Sequence, residues 1–433
     1  MFRFHDTTRR RICIAAFFVL CLVPTAGISA WCLWRQMPAR TAGEAQRLTR
    51  TLGLDVSLDR LAHPRPGIVV YEEFGLSDPE TGQVVLRCPA LKTGWKETAA
   101  GQGGPKTALV LSASKPQIQA ATLDHLGRLL DRILRRQIDC PPCDVWLSAG
   151  EAELRTDVDS HALEDLQGSI ESHASGSRAQ AVFRLAGVDG KEPIAIRIER
   201  DRRTVPPSTR VELSTGGSAV PCRLLALGWN AWQLWGPQSR FRGSLWARQT
   251  TDGWDGEMAG ELIEVDLGNL LADDALEGCT ATAHVTIHSA RFHHGRLQEA
   301  SGTVVAGRGA IDRRLIDRLA DRLQLVQVVK PSGTGDVVPY EQLAFAFLLD
   351  SRGLQLRGQC AAAGRGAIMV DGYTCLLAEP LAQPQPIVGL WQTMAAGVPE
   401  ASRLLRYLPV PQPADPEAVK SHVAGDLSHD MGT

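Results

Sequence analysis

Four histidines, His284, His288, His293 and His294, make the densest group of metal-ligating side chains in the chain. Imidazoles could hold a divalent transition metal, provided that enough of them converge on one point. On a strand, His284, Thr286 and His288 face one way while Val285 and Ile287 face the other. With no cysteine nearby to complete a ligand set, the pattern reads as a solvated face over a buried one. The run Cys140-Pro-Pro-Cys143 has the spacing of a redox dithiol or of half a zinc site. A zinc ribbon needs a second such pair, which the chain lacks. A redox motif enters a helix after a strand, whereas here a helical pattern precedes the cysteines and DVWLSAG follows them. A disulfide between Cys140 and Cys143, or two inert thiols, is the expectation.

Phosphate-binding chemistry finds no better footing. AGRGAI occurs twice, at Ala306–Ile311 and Ala363–Ile368, but Asp312 and Met369 stand where a dinucleotide fingerprint needs its third glycine. These glycines are expected at turns or close backbone approaches. GGPKT (Gly103–Thr107) fails as a phosphate loop because Pro105 has no N–H to donate. The chain has no G-x-S-x-G elbow, HExxH pair or kinase-like set. No catalytic, cofactor-binding or metal-binding residue is assigned, and the expected protein is not an enzyme. Trp229, Trp232, Trp235, Trp246 and Trp254 fall within 26 residues. They suit either a packed core or an amphipathic rim that meets lipid or a protein partner.

The elements around these residues are mostly strands. LAFAFLLDSRGLQLRGQ is the clearest hairpin: Leu343, Phe345, Phe347 and Leu349 alternate with smaller residues, the chain turns over Asp350–Gly353, and Leu354 and Leu356 continue the apolar face. HPRPGIVVYEEFGLSDPETGQVVLRC (His63–Cys88) predicts a second hairpin, with Ile68, Val70, Phe74 and Leu76 on one parity, interrupted by Glu72. Val84, Leu86 and Cys88 are expected on one face of its return strand. Amphipathic helices are predicted over Ile118–Arg136 and Ile311–Leu325, with a third candidate at Pro399–Leu408 and a short helix at Ala42–Gly53. Linkers are suggested at Glu97–Lys106 and Thr204–Pro221. The implied fold is β-rich α+β: one amino-terminal transmembrane helix, then an antiparallel sheet with a few amphipathic helices. The expected divisions are 1–36 (cytoplasmic start and anchor), 37–96 (first β segment), 97–220 (middle region with one helix), 221–408 (second β region with helices) and 409–433 (a polar, disordered tail).

Of 433 residues, 46 are basic and 48 acidic, a balance that argues against a broad nucleic-acid surface. Ile12–Trp34 is a 23-residue run without charge, preceded by Arg9–Arg11, and can cross a hydrocarbon core of about 30 Å. Its basic flank places the amino end inside the cytoplasm and the bulk of the chain outside. The rival reading is a cleaved signal peptide, with small residues around Ala26–Ala30.

The stretch RTLGLDVSLDRLAHPRPGIVVYEEFGLSDPETGQVVLRCPALKT, following an anchor and a short helix, resembles the start of AsmA-like, TamB-related envelope proteins, chiefly through FGLSDPETGQVVL. GELIEVDLGNLL, HVTIHSARFHHGRLQEASGTVVAGRGAIDRRLIDRL and FLLDSRGLQLRGQC resemble the carboxy-terminal segment of the same family. The likeness covers about the first 95 residues and Arg240–Pro380. It implies a curved, groove-like antiparallel sheet with an apolar interior, an anchor in the inner membrane, a periplasmic body and a role in outer-membrane biogenesis or phospholipid transport. A two-chain lipid carried bare through water exposes ~30 methylenes at about 0.8 kcal/mol each, roughly 25 kcal/mol, which an apolar trough removes without covalent chemistry. Ile68, Val70, Phe74, Leu76, Leu343, Phe345, Phe347, Leu349, Leu354 and Leu356 are therefore the expected groove residues, with a phospholipid or other acyl-chain ligand as partner. The alternative is an envelope scaffold that binds proteins through sheet edges or the tryptophan-rich region.

Overall fold

The structure is a computed structural model and describes residues 6–35, 38–101, 104–137, 143–156, 159–173, 175–226, 232, 235–251, 253–268, 280–329 and 337–385. The protein is β-rich, with 55% of the described residues in strands, a curved and mostly antiparallel sheet, and few helices. That establishes the α+β class. Two compact units divide the chain, Met1–Ala186 and Gly187–Thr433, so a boundary falls inside the stretch expected as one middle region. The helix candidate Pro399–Leu408 and the tail 409–433 lie outside the described residues.

The amino end is helical over α1 (Asp6–Phe17), a π turn (Phe18–Leu22) and α2 (Val23–Arg35). Within it Cys13–Trp31 is long and apolar enough to cross a membrane, with a mean hydropathy of 2.2, a test that a signal sequence also passes. The π turn has a local cause. Pro24 has no N–H, and its ring crowds the carbonyl one turn back. The Val23 amide reaches Phe18 O instead, and Thr25 Oγ1 donates to Cys21 O at 2.6 Å. The helix widens there and continues.

After α3 (Pro38–Leu52), the first unit holds strands β1 (Asp55–Ser57), β2 (Arg60–Arg65), β3 (Ile68–Ser77), β4 (Val84–Gly101), β5 (Gly104–Ser114), β6 (Gln117–Gln119), β7 (Asp144–Arg155), β8 (Ser160–His173) and β9 (Gly176–Leu185). Helix α4 (Leu123–Leu134) starts later than the periodicity suggests, because Gln117–Gln119 is a short strand that pairs with both β4 and β7. β5 and β6 each run parallel to β7. α4 supplies the crossover that parallel pairing needs. Leu48 and Leu52 of α3 and Leu126 and Leu129 of α4 pack on a core of Leu54, Leu61, Tyr71, Phe74, Leu76, Val85 and Cys88. Arg132 Nη1 donates to Leu52 O at 2.9 Å, tying α4 to the last turn of α3.

The DPETG turn between β3 and β4 is organised by one carboxylate. Asp78 Oδ2 accepts from Thr81 N at 3.0 Å and Thr81 Oγ1 at 2.5 Å, and Oδ1 accepts from Glu80 N at 3.4 Å. The Thr81 hydroxyl, opposed by burial and helped by the two amides, holds Asp78 below the ordinary carboxylate value of 3.8. A depressed folded-state pKa contributes stability that is complete above the ordinary value and lost as pH falls through the folded one. Asp78→Asn should therefore unfold more readily at neutral pH and show a shallower loss of stability on acidification. Thermal unfolding from about pH 6 to pH 2 measures this; an unchanged acid limb would remove Asp78 from that role.

The second unit is built on β10 (Ile194–Asp201), β11 (Ser208–Ser214), β12 (Val220–Pro221), β13 (Arg240–Gln249), β14 (Trp254–Asp266), β15 (Thr282–His293), β16 (Arg296–Ala306), β17 (Gly309–Asp312), β18 (Val326–Gln327), β19 (Val337–Tyr340), β20 (Gln342–Asp350), β21 (Gly353–Gly358), β22 (Ala367–Asp371) and β23 (Thr374–Ala378), with α5 (Cys222–Leu225) and α6 (Arg313–Arg322). The order β10-β11-β13-β14-β15-β16-β20-β21 is antiparallel at every step. Ile311 lies in β17 rather than in the helix, which begins after Asp312, whose Oδ1 accepts from Arg314 N at 2.7 Å as the N-cap. Asp312→Ala should destabilise this unit by about 1 kcal/mol. Denaturant unfolding reads that change, and Asp312→Ser should recover most of it.

Candidate functional site

The hairpin β20–β21 turns through Ser351 and Arg352, with Asp350 opposite Gly353. Asp350 Oδ1 accepts from Arg352 N at 2.8 Å, and Oδ2 accepts from Arg352 Nη2 at 2.7 Å and Nε at 3.0 Å. The guanidinium holds the Asp350 carboxylate below its usual range. This turn sets Leu349 opposite Leu354 and Phe347 opposite Leu356. On its other side β20 meets β16, with Phe345 opposite Val304, Phe347 opposite Gly302 and Ala300 opposite Leu349.

The same face continues across β15 and β14. One row runs Met258, Ala290, Ala300, Leu349, Leu354 through four successive pairings. A second runs Ile287, Gly302, Phe347, Leu356. Val285 and Ile287 share a parity that Ala290 and Phe292 do not, yet all four point to one side. An irregularity between Ile287 and Ser289 shifts the register there and reverses the alternation. Gly302 keeps the second row open: a Cβ at this position would lie 2.9 Å from Phe347 Cζ and 2.2 Å from Thr286 O.

These rows line an apolar cavity of about 440 Å³ within the second unit, partly open to solvent. Leu319 of α6, Leu323 and Leu325 close one part of it, and Trp235, Phe292 and Leu297 line another. Among the described residues the wall contains no carboxylate, imidazole, thiol, ammonium or guanidinium side chain, and of its side chains only Trp235 and Tyr340 bring an N–H or O–H. Val285, Ile287, Leu349, Leu354 and Leu356 are buried, whereas Leu343, Phe345, Phe347, Phe292, Leu297 and Val304 are half-buried. An unfilled space lined this way lacks the dispersion contacts that a packed core has, and it has nothing to hold ordered water. An apolar guest restores those contacts; a polar one leaves its hydrogen bonds behind.

Six of the ten residues expected in a groove, Leu343, Phe345, Phe347, Leu349, Leu354 and Leu356, line this cavity. The other four are elsewhere and do not share a face. Phe74 and Leu76 are packed into the first unit's core beneath α3 and α4, and Ile68 and Val70 are half-buried outside it. Strict alternation fails at Glu73, whose φ is +49°, although the β3–β4 register is kept from Glu72–Ala90 to Phe74–Cys88. Tyr71 therefore joins Phe74 in the core. On the return strand Val85 is buried and Val84 exposed, the reverse of the expected order.

The remaining sequence candidates are dispersed. His284 and His288 are exposed on the outer face of β15, as the alternation suggests. His293 and His294 meet Asp255, their ligand atoms lying within 4.8 Å of one another. That carboxylate accepts from His294 N at 3.0 Å, lies 2.8 Å from His293 Nδ1 and faces Arg248 at 3.5 Å. The His294 amide, with Arg248 beside it, holds Asp255 below its usual range; the cluster braces the β15–β16 turn. Cys140 lies outside the described residues, and Cys143 is half-buried ahead of β7. In the second AGRGAI, Gly364 and Gly366 have φ of +96° and +83°, the turn geometry expected of them. Trp232 is buried 5.0 Å from Phe241, Trp235 lines the cavity, Arg210 stacks 4.8 Å from Trp246, and Trp254 is exposed. Trp229 lies outside the described residues.

Val285 and Ile287 of β15, on the buried side of the HVTIHSARF alternation, join the wall, as do residues of β14 and β16 that no local pattern marks. No known protein family, curated protein or solved structure matches the chain.

Proposed function

We propose that this protein is a membrane-anchored, non-enzymatic lipid-holding protein of AsmA-like type that shelters acyl chains in the cavity of its second unit. The observation that carries this reading is the cavity itself: about 440 Å³ walled by Leu, Ile, Val, Phe, Met and Ala side chains from successive strands. Ordinary cores are filled to the density of organic crystals, so a space of this size is a site to be occupied. It lies within the range of ~300–1,000 Å³ typical of small-molecule sites. The apolar helix Cys13–Trp31 supports a membrane-tethered source or destination for such a ligand. In this reading the anchor sits in the inner membrane, the body faces the periplasm, and the role is envelope or outer-membrane biogenesis.

The test is to purify the full chain, extract what is bound and identify it by mass spectrometry. Acyl lipid in the wild type and its loss from a folded Phe345→Asp/Phe347→Asp variant is the expected result. Absence of lipid from both, with defined protein partners captured by crosslinking, would replace the carrier with an envelope scaffold.

A further inference from the structure

We infer that the cavity takes one acyl chain, so that its ligand is a single-chain amphiphile such as a fatty acid or a lysophospholipid, and not an intact two-chain phospholipid. This rests on the reading of the cavity as a lipid site and narrows it by volume. An engineered cavity of about 150 Å³, lined by the same residue types, accepts benzene with its six carbons. Scaling to about 440 Å³ gives room for roughly eighteen carbons, which is one long chain. The second chain of a phospholipid would remain in water, at a cost of about fourfold in affinity for each exposed methylene.

The wall also says where the headgroup goes. Among the described residues it offers no charged side chain, and the two polar ones there, Trp235 and Tyr340, carry no formal charge. A carboxylate or phosphate drawn inside would be desolvated without compensation. The head therefore stays outside, and affinity follows chain length rather than headgroup charge.

Two residues set the capacity. Ala290 and Ala300 are directly opposite each other on β15 and β16, between Met258 and Leu349 in the same row. They are small side chains in a wall of large ones, and both are buried on the cavity side. Leucine at either position adds three carbons to the wall, taking the space of an equal length of ligand.

The experiment uses the full chain in a fluorinated surfactant, whose tails mix poorly with hydrocarbon, loaded with radiolabelled palmitic acid. Competitors are fatty acids of graded length, a lysophosphatidylcholine with a sixteen-carbon chain, and dipalmitoyl phosphatidylcholine. Affinity should peak near sixteen to eighteen carbons. The lysolipid should compete within about threefold of palmitate and the diacyl lipid at least a hundredfold more weakly. Ala300→Leu, and independently Ala290→Leu, should move the optimum about three carbons shorter. Thr303→Leu, on β16 but off the cavity wall, should leave it in place. Thermal unfolding of each variant confirms that it is folded. Equal competition by the diacyl lipid, or an optimum that ignores both leucines, overturns the one-chain inference and leaves the lipid site standing. Failure of every chain to bind overturns both.

Discussion

Phe345→Asp combined with Phe347→Asp is expected to weaken acyl-chain binding by about a hundredfold or more while the protein remains folded. Both rings are half-buried on the cavity wall, opposite Val304 and Gly302. Each contributes apolar contact to a guest that is worth up to ~1.5–3 kcal/mol for a fully covered side chain. Two carboxylates in their place also have to lose water when the cavity fills, and no cationic side chain among the described residues of the wall pairs with them. Because these positions keep partial access to solvent in the empty protein, the charges can remain hydrated there and the sheet need not open. Leu348→Asp is the matching control: it places one such charge on the same strand, where Leu348 pairs with Ser301 and Gln355 and is not part of the wall. Retention of lipid by the double variant, or its loss from the control alone, would remove the β20 face from the site.

Phe241→Ala should destabilise the second unit by about 3–5 kcal/mol, the largest single effect on stability expected for this chain. Its ring is fully buried, lies 5.0 Å from that of Trp232, and sits opposite Leu262 on β14 and Val220 on β12. The ring edge rests over Gly243, where a Cβ would come within 2.9 Å of Phe241 Cζ and 2.2 Å of Ala259 O. The backbone there is already at close approach, so the neighbours cannot move in to fill the hole left by alanine. A residual void carries its own cost beyond the lost transfer energy. Denaturant unfolding followed by tryptophan emission measures the change, since Trp232 reports on this core directly. A loss below about 1 kcal/mol would show that the region repacks freely.

Much of the architecture is legible in short stretches of sequence. The β20–β21 hairpin is read correctly, turn and inward face alike, because Asp350–Gly353 fixes the register between strands that are neighbours in sequence. The apolar amino-terminal helix, the helix now bounded by Asp312, and the outward His284 and His288 are local in the same sense. Where reading fails, it fails at single irregular residues. Glu73 with its positive φ divides Ile68 and Val70 from Phe74 and Leu76, and the irregularity after Ile287 brings Ala290 and Phe292 to the side of Val285. Alternation assumes regular strand geometry, and nothing in the side-chain types announces the positive φ at Glu73, where the β3–β4 register is unchanged, or the extra residue after Ile287.

The sequence by itself determined that strands dominate, that several carry one greasy face, and that a bilayer-length apolar helix comes first. Only the tertiary structure decided which greasy face is a core and which is a cavity. In the first unit two helices lay leucines onto Phe74 and Leu76 and fill the space. In the second, α6 and the residues after it cover part of an equally apolar face and leave about 440 Å³ unfilled. Burial propensity is a property of each residue, but whether the buried volume is full depends on elements distant in the chain, and no periodicity encodes that sum.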